Sequence, residues 1–263
     1  MSTARQASDH PALETAARVG YAVSGLLHLL IGWIAVQVAW GLGGGSGKNA
    51  DQTGALQSLA GNGLGKAVLW IGVLGFLGLG LWQVADAAVG HPGSDKEAWG
   101  GRIKAISKAL VYLFLGWTTF TFARGGSSDS ESKTTDFTSS LMSKPGGQWL
   151  VGIVGLVIIG VGVYHVWKGA TEGFLRDLEK DPGTWATRAG VVGYIAKGIA
   201  LGVVGLLFVL AGLHANPEES GGLDGALRTL KDQPFGPGLL TAIAIGIAAY
   251  GLYSFSRARH ARV

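Results

Sequence analysis

The chain has 263 residues, of which 48% are hydrophobic and 14% charged, and its mean hydropathy is +0.34. Soluble domains carry about 25% charged residues, so this composition indicates a membrane protein. Cysteine is absent, which excludes disulfides, thiolate nucleophiles and cysteine-ligated metal centres. The net charge of +4 comes from basic residues between apolar runs rather than from a basic stripe, so we do not expect nucleic acid as a partner.

A polar N-terminal segment, residues 1–18, precedes six apolar runs. A helix needs about 20 mostly apolar residues to cross about 30 Å of hydrocarbon, and all six runs reach this length, the last narrowly. The first run has 22 residues, more than the roughly 7 to 15 of a signal-peptide core, so we expect a retained helix. The predicted spans are 19–40, 67–89, 103–123, 148–167, 191–213 and 239–255.

The basic residues are unevenly divided between the two sides of the membrane. Of the 21 Lys and Arg residues, 14 lie on the side that holds both termini. Because short cytoplasmic loops carry an excess of Lys and Arg, both termini are predicted to be cytoplasmic. Residues 257–263 then form a basic cytoplasmic tail.

The chain repeats itself, since HLLIGW at 28–33 returns as YLFLGW at 112–117, and a looser third copy follows. The predicted fold is all-α, with six transmembrane helices forming three parallel hairpin repeats at 19–90, 102–170 and 188–256. Short amphipathic segments such as DQTGALQSLA and GLDGALRTLK are expected to lie in the outer membrane interface. The aligned positions that we expect to pack between helices are Gly25, Gly32, Trp33, Gly116, Trp117, Gly198 and Gly205.

The pattern ARVGYAVSGLLHLLIGW, the GAL segments and the FG of QPFGPGLL resemble the bacterial membrane family with domain of unknown function 1206, common in actinobacteria. The resemblance covers the chain from about Ala17 to Phe255. It implies a protein of the bacterial inner membrane with three helical pairs, and it supplies no activity. The family pattern tends to place a basic residue where this chain has Ser24, and here only the second and third copies carry one.

The basic residues at that position in the second and third copies are Lys108 and Lys197, and the repeat equivalents of Asp86 are Lys168 and Arg257. A charge inside the membrane is costly unless it is paired or hydrated, so one hypothesis pairs Asp86 with Lys108 or Lys197. The alternative, which we favour from sequence, is that both lysines extend along their own stems to the headgroups.

Two histidines could supply the axial ligands of a haem. However, His28 lies mid-span, about 14 Å from the start of its helix at 1.5 Å per residue, whereas His165 lies near a helix end. The repeat equivalent of His28 is Tyr112. We therefore favour polar contacts between helices for these residues, and we expect no metal and no cofactor.

The sequence contains no phosphate-binding loop and no nucleophile with a positioned base, so we do not expect an enzyme. Three functions stay open. The first, which we favour from sequence because polar groups are scarce within the spans, is a scaffold or partner subunit, in contact with the lipid bilayer and with another membrane protein. The second is a transporter or channel, because three parallel repeats resemble the organisation of mitochondrial carriers, although the proline-acid-base motif of those carriers is missing. The third is a haem- or quinone-binding redox subunit. The GxxxG of Gly198 and Gly202 favours packing within the monomer, with a homo-oligomer as the alternative.

Overall fold

The computed structural model describes residues 11–42, 49–89 and 95–261. The α-helices are Pro11–Trp40 (α1), Gln52–Ala60 (α2), Gly63–Val89 (α3), Asp95–Ala123 (α4), Ser130–Met142 (α5), Gly147–Ala170 (α6), Thr184–His214 (α7), Gly222–Lys231 (α8) and Gly236–His260 (α9). Within the described ranges, six helices are long and apolar enough to span a membrane, namely α1, α3, α4, α6, α7 and α9. The predicted all-α class, with three two-span repeats and short helices between the spans, is confirmed.

The helices are longer than the apolar runs from which they were predicted. Residues 11–18, expected in a polar segment before the first span, already belong to α1, and residues 1–10 lie outside the described residues. The predicted tail from residue 257 needs correction, because α9 continues to His260. Its last turn contains Arg257, which is buried inside the protein. Residues 262 and 263 lie outside the described residues.

Both described ends of the chain lie on one side of the bundle, which we call the terminal side. There, Nη1 of Arg18 donates a hydrogen bond to the carbonyl of Arg259 at 2.7 Å, which ties α1 to α9. The amide of Glu179 donates to the carbonyl of His260 at 2.8 Å, so the loop between α6 and α7 lies beside the end of α9. The short helices α2, α5 and α8 follow the opposite ends of the spans, on what we call the loop side.

The spanning helices pack in the order α6, α7, α9, α1, α3, α4. In the first repeat α1 packs on α3, and in the third α7 packs on α9. Among the described parts of the chain, the spans of the second repeat, α4 and α6, make at most marginal contact with each other. The row is nevertheless curved, because α1, α4, α6 and α7 all line one cavity.

Glycines allow the closest of these contacts, because a neighbouring backbone occupies the place of a side chain. A Cβ on Gly162 of α6 would lie 2.7 Å from the carbonyl oxygen of Gly198 on α7. A Cβ on Gly25 of α1 would lie 2.9 Å from the carbonyl oxygen of Gly251 on α9. Small residues at such crossings bring helices together in lipid, where no hydrophobic effect drives them.

The loop-side helices are held on the bundle by buried hydrogen bonds. Asp51 caps α2 by accepting a hydrogen bond from the amide of Gly54 at 3.0 Å. Asp224 of α8 accepts from the amide of Ala50 and from Nε of Arg228, both at 2.6 Å. Burial raises the pKa of Asp51, and the nearby charge of Asp224 acts in the same direction, although hydrogen bonds to Asp51 oppose them.

Candidate functional site

Aromatic side chains from α7, α9 and the 3-10 helix Gly173–Asp177 form a cluster on the terminal side. The rings of Phe174 and Tyr194 are stacked with centroids 5.1 Å apart and planes at 8°. Tyr194 meets Tyr250 edge to face at 5.2 Å, and Phe174 meets Tyr253 in the same way at 5.0 Å. Offset and edge-to-face geometries are the favoured ones for aromatic pairs, so these rings form a well-packed cluster.

Two glycines of α7 allow this cluster to form. A Cβ on Gly193 would lie 2.5 Å from Cα of Tyr250, so α7 and α9 touch through their backbones here. A Cβ on Gly190 would lie 2.6 Å from the ring of Phe174, which therefore lies directly against the helix. The first half of α7 is thus shaped to hold the aromatic rings between itself and its neighbours.

Arg257 of α9 lies close to this cluster, against Tyr21 of α1, and is only 9% exposed. Its Nη2 donates a hydrogen bond to the hydroxyl of Tyr21 at 3.3 Å, and its guanidinium carbon lies 4.2 Å from the centroid of that ring. Tyr112 of α4 meets Tyr21 edge to face at 6.3 Å. The Nε of Arg257 has no hydrogen-bond partner among the described residues. Arg257 is therefore a buried cation surrounded by tyrosines.

Lys168 of α6 forms the ion pair of this region. Its Nζ lies 2.6 Å from Oδ2 of Asp177 and 5.5 Å from the centroid of the Tyr194 ring. The side chains of Lys168 and Asp177 are 10% and 24% exposed, so water screens the pair only partly. Burial alone would raise the pKa of Asp177, but the hydrogen bond and charge of Lys168, together with the nearby Arg257 and Lys108, lower it.

Two further lysines complete the group. Nζ of Lys197 on α7 lies 4.3 Å from the centroid of the Tyr250 ring, which is within the range of a cation–π contact. Lys108 on α4 is close enough to Arg257, Lys168 and Asp177 to interact with their charges. We call Lys108, Lys168, Lys197 and Arg257, with Asp177 and the rings of Tyr21, Tyr112, Tyr194 and Tyr250, the cationic tyrosine cluster.

The cluster carries more positive than negative charge. Lys108, Lys168, Lys197 and Arg257 are four cations, and even if Asp86 is counted with Asp177, they exceed the carboxylates by two. Attraction to the tyrosine rings offsets only part of the cost of burial, since a desolvated cation–π contact is worth about 2 kcal/mol and desolvation costs several kcal/mol per ion. The geometry is therefore suited to hold an anion.

The structure thus brings together four of the five predicted charged residues. Asp86 lies half-buried on α3, and its pairing with Lys108 or Lys197 stays a prediction. The alternative, extension to the headgroups, does not describe Lys197, because its ammonium lies over the Tyr250 ring inside the bundle. Lys168 likewise forms an ion pair with Asp177 within the protein.

The two histidines border the same cluster. Nδ1 of His28 lies 2.7 Å from the carbonyl of Ser24, and Nδ1 of His165 lies 2.8 Å from the carbonyl of Val161, so both bond within their own helices. The expected hydrogen bonds between helices are replaced by ring contacts. His28 packs on Tyr250 at 4.8 Å, and His165 stacks on Tyr194 at 5.8 Å. In this series of contacts two tyrosine rings separate the imidazoles.

Within the part of the chain that the structure describes, no group of three or more His, Asp or Glu residues could hold a metal ion.

Of the repeat positions expected to pack between helices, the glycines do so and the tryptophans do not. A Cβ on Gly32 would lie 2.7 Å from the carbonyl of Ala244, and one on Gly205 would lie 2.7 Å from that of Gly155. Gly116 is less crowded, with Phe76 at 3.5 Å. The packing role expected for Trp33 and Trp117 needs correction, because their side chains are 60% and 68% exposed. They lie on the outer surface of the bundle, where an apolar ring can contact lipid.

Sequence reasoning missed several members of the cluster. Asp177 lies in a loop outside every apolar run, so a search for charges within spans does not find it. Tyr194, Tyr250 and Tyr253 do not stand out in the sequence, because tyrosines near helix ends are typical of the membrane interface. One signal was present, since the repeat alignment that matches Gly25 with Gly198 also matches Tyr21 with Tyr194.

These features define a multi-pass helical membrane protein built from three tandem two-span repeats, with a buried cationic cluster on its terminal side. The chain belongs to the family described as Domain of Unknown Function (DUF1206), whose model matches residues 19–90, 103–172 and 192–261. It is similar to the "Uncharacterized protein YxxB" of Bacillus subtilis (strain 168), with 28% identity over 255 residues that cover 94% of this chain and 90% of the relative. No solved structure matches the chain. An actinobacterial source stays a prediction, because this relative is from Bacillus.

Proposed function

We propose that this protein binds a small anion at the cationic tyrosine cluster and carries it across the bacterial inner membrane. The observation that supports the proposal is the convergence of cations from α4, α6, α7 and α9 around a smaller number of carboxylates. Ionisable groups inside a membrane protein are expensive to maintain, and they commonly mark the path of an ion or substrate.

Arg257 is the residue best suited to contact the anion. A guanidinium presents five donors in a planar fork that matches carboxylate and phosphate oxygens. Among the described residues Arg257 donates one hydrogen bond, to Tyr21, and its buried Nε has no partner there. The lysines would add positive charge around the same ligand without requiring a fixed geometry.

The cations lie at different depths along the bundle, which favours transport over a group of charges confined to the surface. Arg257 is three residues from the terminal end of α9, or about 5 Å, whereas Lys197 is 13 residues from the start of α7, or about 20 Å. An anion entering from the terminal side would therefore meet positive charge from the surface toward the interior. With both termini in the cytoplasm, as the distribution of Lys and Arg predicts, this entrance is cytoplasmic.

We therefore favour transport over the scaffold function that the sequence predicts. The scaffold hypothesis depended on a scarcity of polar groups inside the bundle. A cluster of partly compensated charges between four helices lowers the folding stability, and a scaffold function does not require such a cluster.

The test measures anion binding and then anion flux with the full chain. In detergent, chloride, phosphate, sulfate and succinate are each added while the unfolding temperature is followed. We expect at least one anion to stabilise the wild-type protein, and this stabilisation to disappear in Arg257→Gln. Because the buried cations outnumber the carboxylates, removing one of them should not cost free energy, and Arg257→Gln should unfold no earlier than wild type when no anion is present. A structural arginine would instead show a lower unfolding temperature.

The matched control is Arg188→Gln, which removes one positive charge from an exposed residue of α7 on the same side. It should keep the full response to the anion. Lys197→Gln serves as a second variant, and proteoliposomes loaded with the binding anion then report flux. A wild-type protein that responds to none of the anions, or an equal response in Arg257→Gln, would overturn the proposal. Retention of another polypeptide without an anion response would favour the scaffold.

A further inference from the structure

A second site lies in the loop-side half of the bundle, apart from the cationic tyrosine cluster. Because α4 and α6 make at most marginal contact among the described residues, a space remains between them. The space is a cavity of about 430 Å³, within the range of roughly 300 to 1,000 Å³ that is typical of small-molecule sites. Helices α1, α4, α6 and α7 form its walls, and α2 and α5 border it on the loop side.

The lining changes from apolar to polar along the membrane normal. Leu27, Leu115, Val154 and Phe208 form the deep part. At 1.5 Å per residue, Val154 and Phe208 lie about 10 Å from the loop-side ends of α6 and α7, and Leu27 lies about 20 Å from the end of α1. The cavity is therefore long and apolar over the depth that acyl chains occupy in a bilayer.

The rim is formed largely by α5 and the residues just before it. Ser128, Ser130, Lys133 and Thr134 line it, together with Gln52 and Thr53 of the segment that contains α2. Among the lining residues, all of which lie in the described ranges, Lys133 carries the only formal charge. Its side chain is exposed, so its ammonium is available to a group at the membrane surface.

The cavity opens toward the bilayer. Phe114 on α4 and Phe137 on α5 both line it, yet they are 64% and 60% exposed. A lipid could therefore enter sideways between α4 and α6 without first crossing water. The arrangement of an apolar depth, hydroxyls above it and one cation at the surface matches the order of chain, linkage and headgroup in an anionic lipid.

We propose that the cavity between α4 and α6 binds one acyl chain of an anionic membrane phospholipid, whose headgroup lies at Lys133. This site is separate from the proposed anion site, and it does not depend on transport. The bound chain would fill the space that the two spans of the second repeat leave between them, which makes the lipid a structural part of the bundle.

The test is native mass spectrometry of the full chain in detergent, with dioleoyl phosphatidylglycerol or dioleoyl phosphatidylcholine added. We expect wild type to retain one phosphatidylglycerol. Val154→Phe should reduce its occupancy by about tenfold or more, because the added ring fills the apolar depth. The matched control is Ile153→Phe, the neighbouring position of α6, whose side chain is 54% exposed and lies outside the cavity lining. It should bind the lipid as wild type does.

A second pair of variants tests the headgroup and does not depend on filling the cavity. Lys133→Gln should reduce the preference for phosphatidylglycerol over phosphatidylcholine by about two- to fivefold, as expected for one exposed ion pair. Lys144→Gln removes an exposed charge from the same side and should leave the preference unchanged. Equal lipid retention in Val154→Phe and wild type would overturn the proposal, as would equal selectivity in both lysine variants. A dimer that only Val154→Phe disrupts would show a second copy of the chain in the cavity instead.

Discussion

The contact between α6 and α7 makes a sharp prediction, because two glycines of one helix face different surroundings. A Cβ on Gly198 would lie 2.6 Å from the carbonyl oxygen of Gly162 and 2.8 Å from the amide nitrogen of Val166. A Cβ on Gly202, one turn further along α7, would meet nothing within 4 Å. The perturbation is therefore Gly198→Ala, with Gly202→Ala as its matched control.

The magnitude follows from two opposing effects. Inserting a methyl group into a filled contact typically costs about 1 to 3 kcal/mol, and here the crowding atoms belong to the backbone of α6, which cannot rotate away. Replacing glycine by alanine within a helix returns up to about 1 kcal/mol in both variants. Gly202→Ala should thus be neutral or slightly stabilising. Gly198→Ala should be less stable than Gly202→Ala by about 1 to 3 kcal/mol.

The assay is unfolding of each variant by sodium dodecyl sulfate in mixed micelles, followed by the near-ultraviolet circular dichroism of the aromatic residues. Both variants carry the same chemical change in the same helix, so any difference reports the contact with α6. If Gly198→Ala unfolded at the same detergent fraction as Gly202→Ala, α6 and α7 would not be packed through Gly162 and Gly198. The order of helices inferred for the bundle would then be wrong on this side.

Three other predictions concern individual side chains. Asp177→Asn should destabilise the protein by about 1.5 to 3 kcal/mol at pH 7, because Lys168 loses a charged acceptor. Since the folded pKa of Asp177 lies below its ordinary value of 3.8, this stabilisation is fully present above about pH 5 and is lost as the pH falls through the lowered folded pKa. Asp224→Ala should cost about 1 to 3 kcal/mol by leaving the amide of Ala50 without its acceptor, as measured by the same unfolding assay. Trp33→Leu and Trp117→Leu should each change stability by less than about 0.5 kcal/mol, because both side chains face outward.

Each of these predictions has an outcome that would contradict it. Glu179→Gln changes an exposed acid in the same loop as Asp177, and an equal loss in both variants would mean that the ion pair with Lys168 is not the cause. An Asp224→Ala protein as stable as wild type would mean that α8 does not hold the segment before α2. A large loss in either tryptophan variant would place that ring between helices after all.

The spans and their repeats could be predicted from the sequence because hydropathy acts locally. A run such as 191–213 must become a helix in lipid whatever its neighbours are, since its backbone can bond only within the segment. The choice of neighbours is a different matter. The small-residue faces of GIVGLVIIGVG and GIALGVVG fit one another, with Gly155 against Gly205 and Gly162 against Gly198. Other glycine-rich faces in the chain would satisfy the same rule, so the separation of α4 from α6 could not be read from spacing.

The site was predicted only in part, because the sequence shows neither whether a charged side chain at the end of a span is buried nor in which direction a side chain within a span points. Arg257 lies two residues beyond the end of the last apolar run, and a basic residue there is typical of a cytoplasmic tail. It is instead buried because α9 continues for another turn and Tyr21 receives its guanidinium. The exposure of Trp117 shows the converse, since its position within a span does not reveal whether the ring faces lipid or protein.

The helices at the two ends of the row, α4 and α6, are the spans of the second repeat, and both carry a lysine of the cationic tyrosine cluster. The proposed anion should therefore affect the distance between these two helices. Lys108 on α4 and Lys168 on α6 carry like charges that interact unfavourably, so an anion between them should draw the two helices together. Helix shifts at such interfaces are typically about 1 to 2 Å. Because the chain lacks cysteine, spin labels can be attached at cysteines introduced for Ile106 and Val163, both of which are exposed. We predict that the anion that stabilises wild type shortens the distance between these labels, and that Arg257→Gln abolishes the change. An unchanged distance in the wild-type protein with the anion bound would mean that the separation of α4 and α6 is fixed by packing alone.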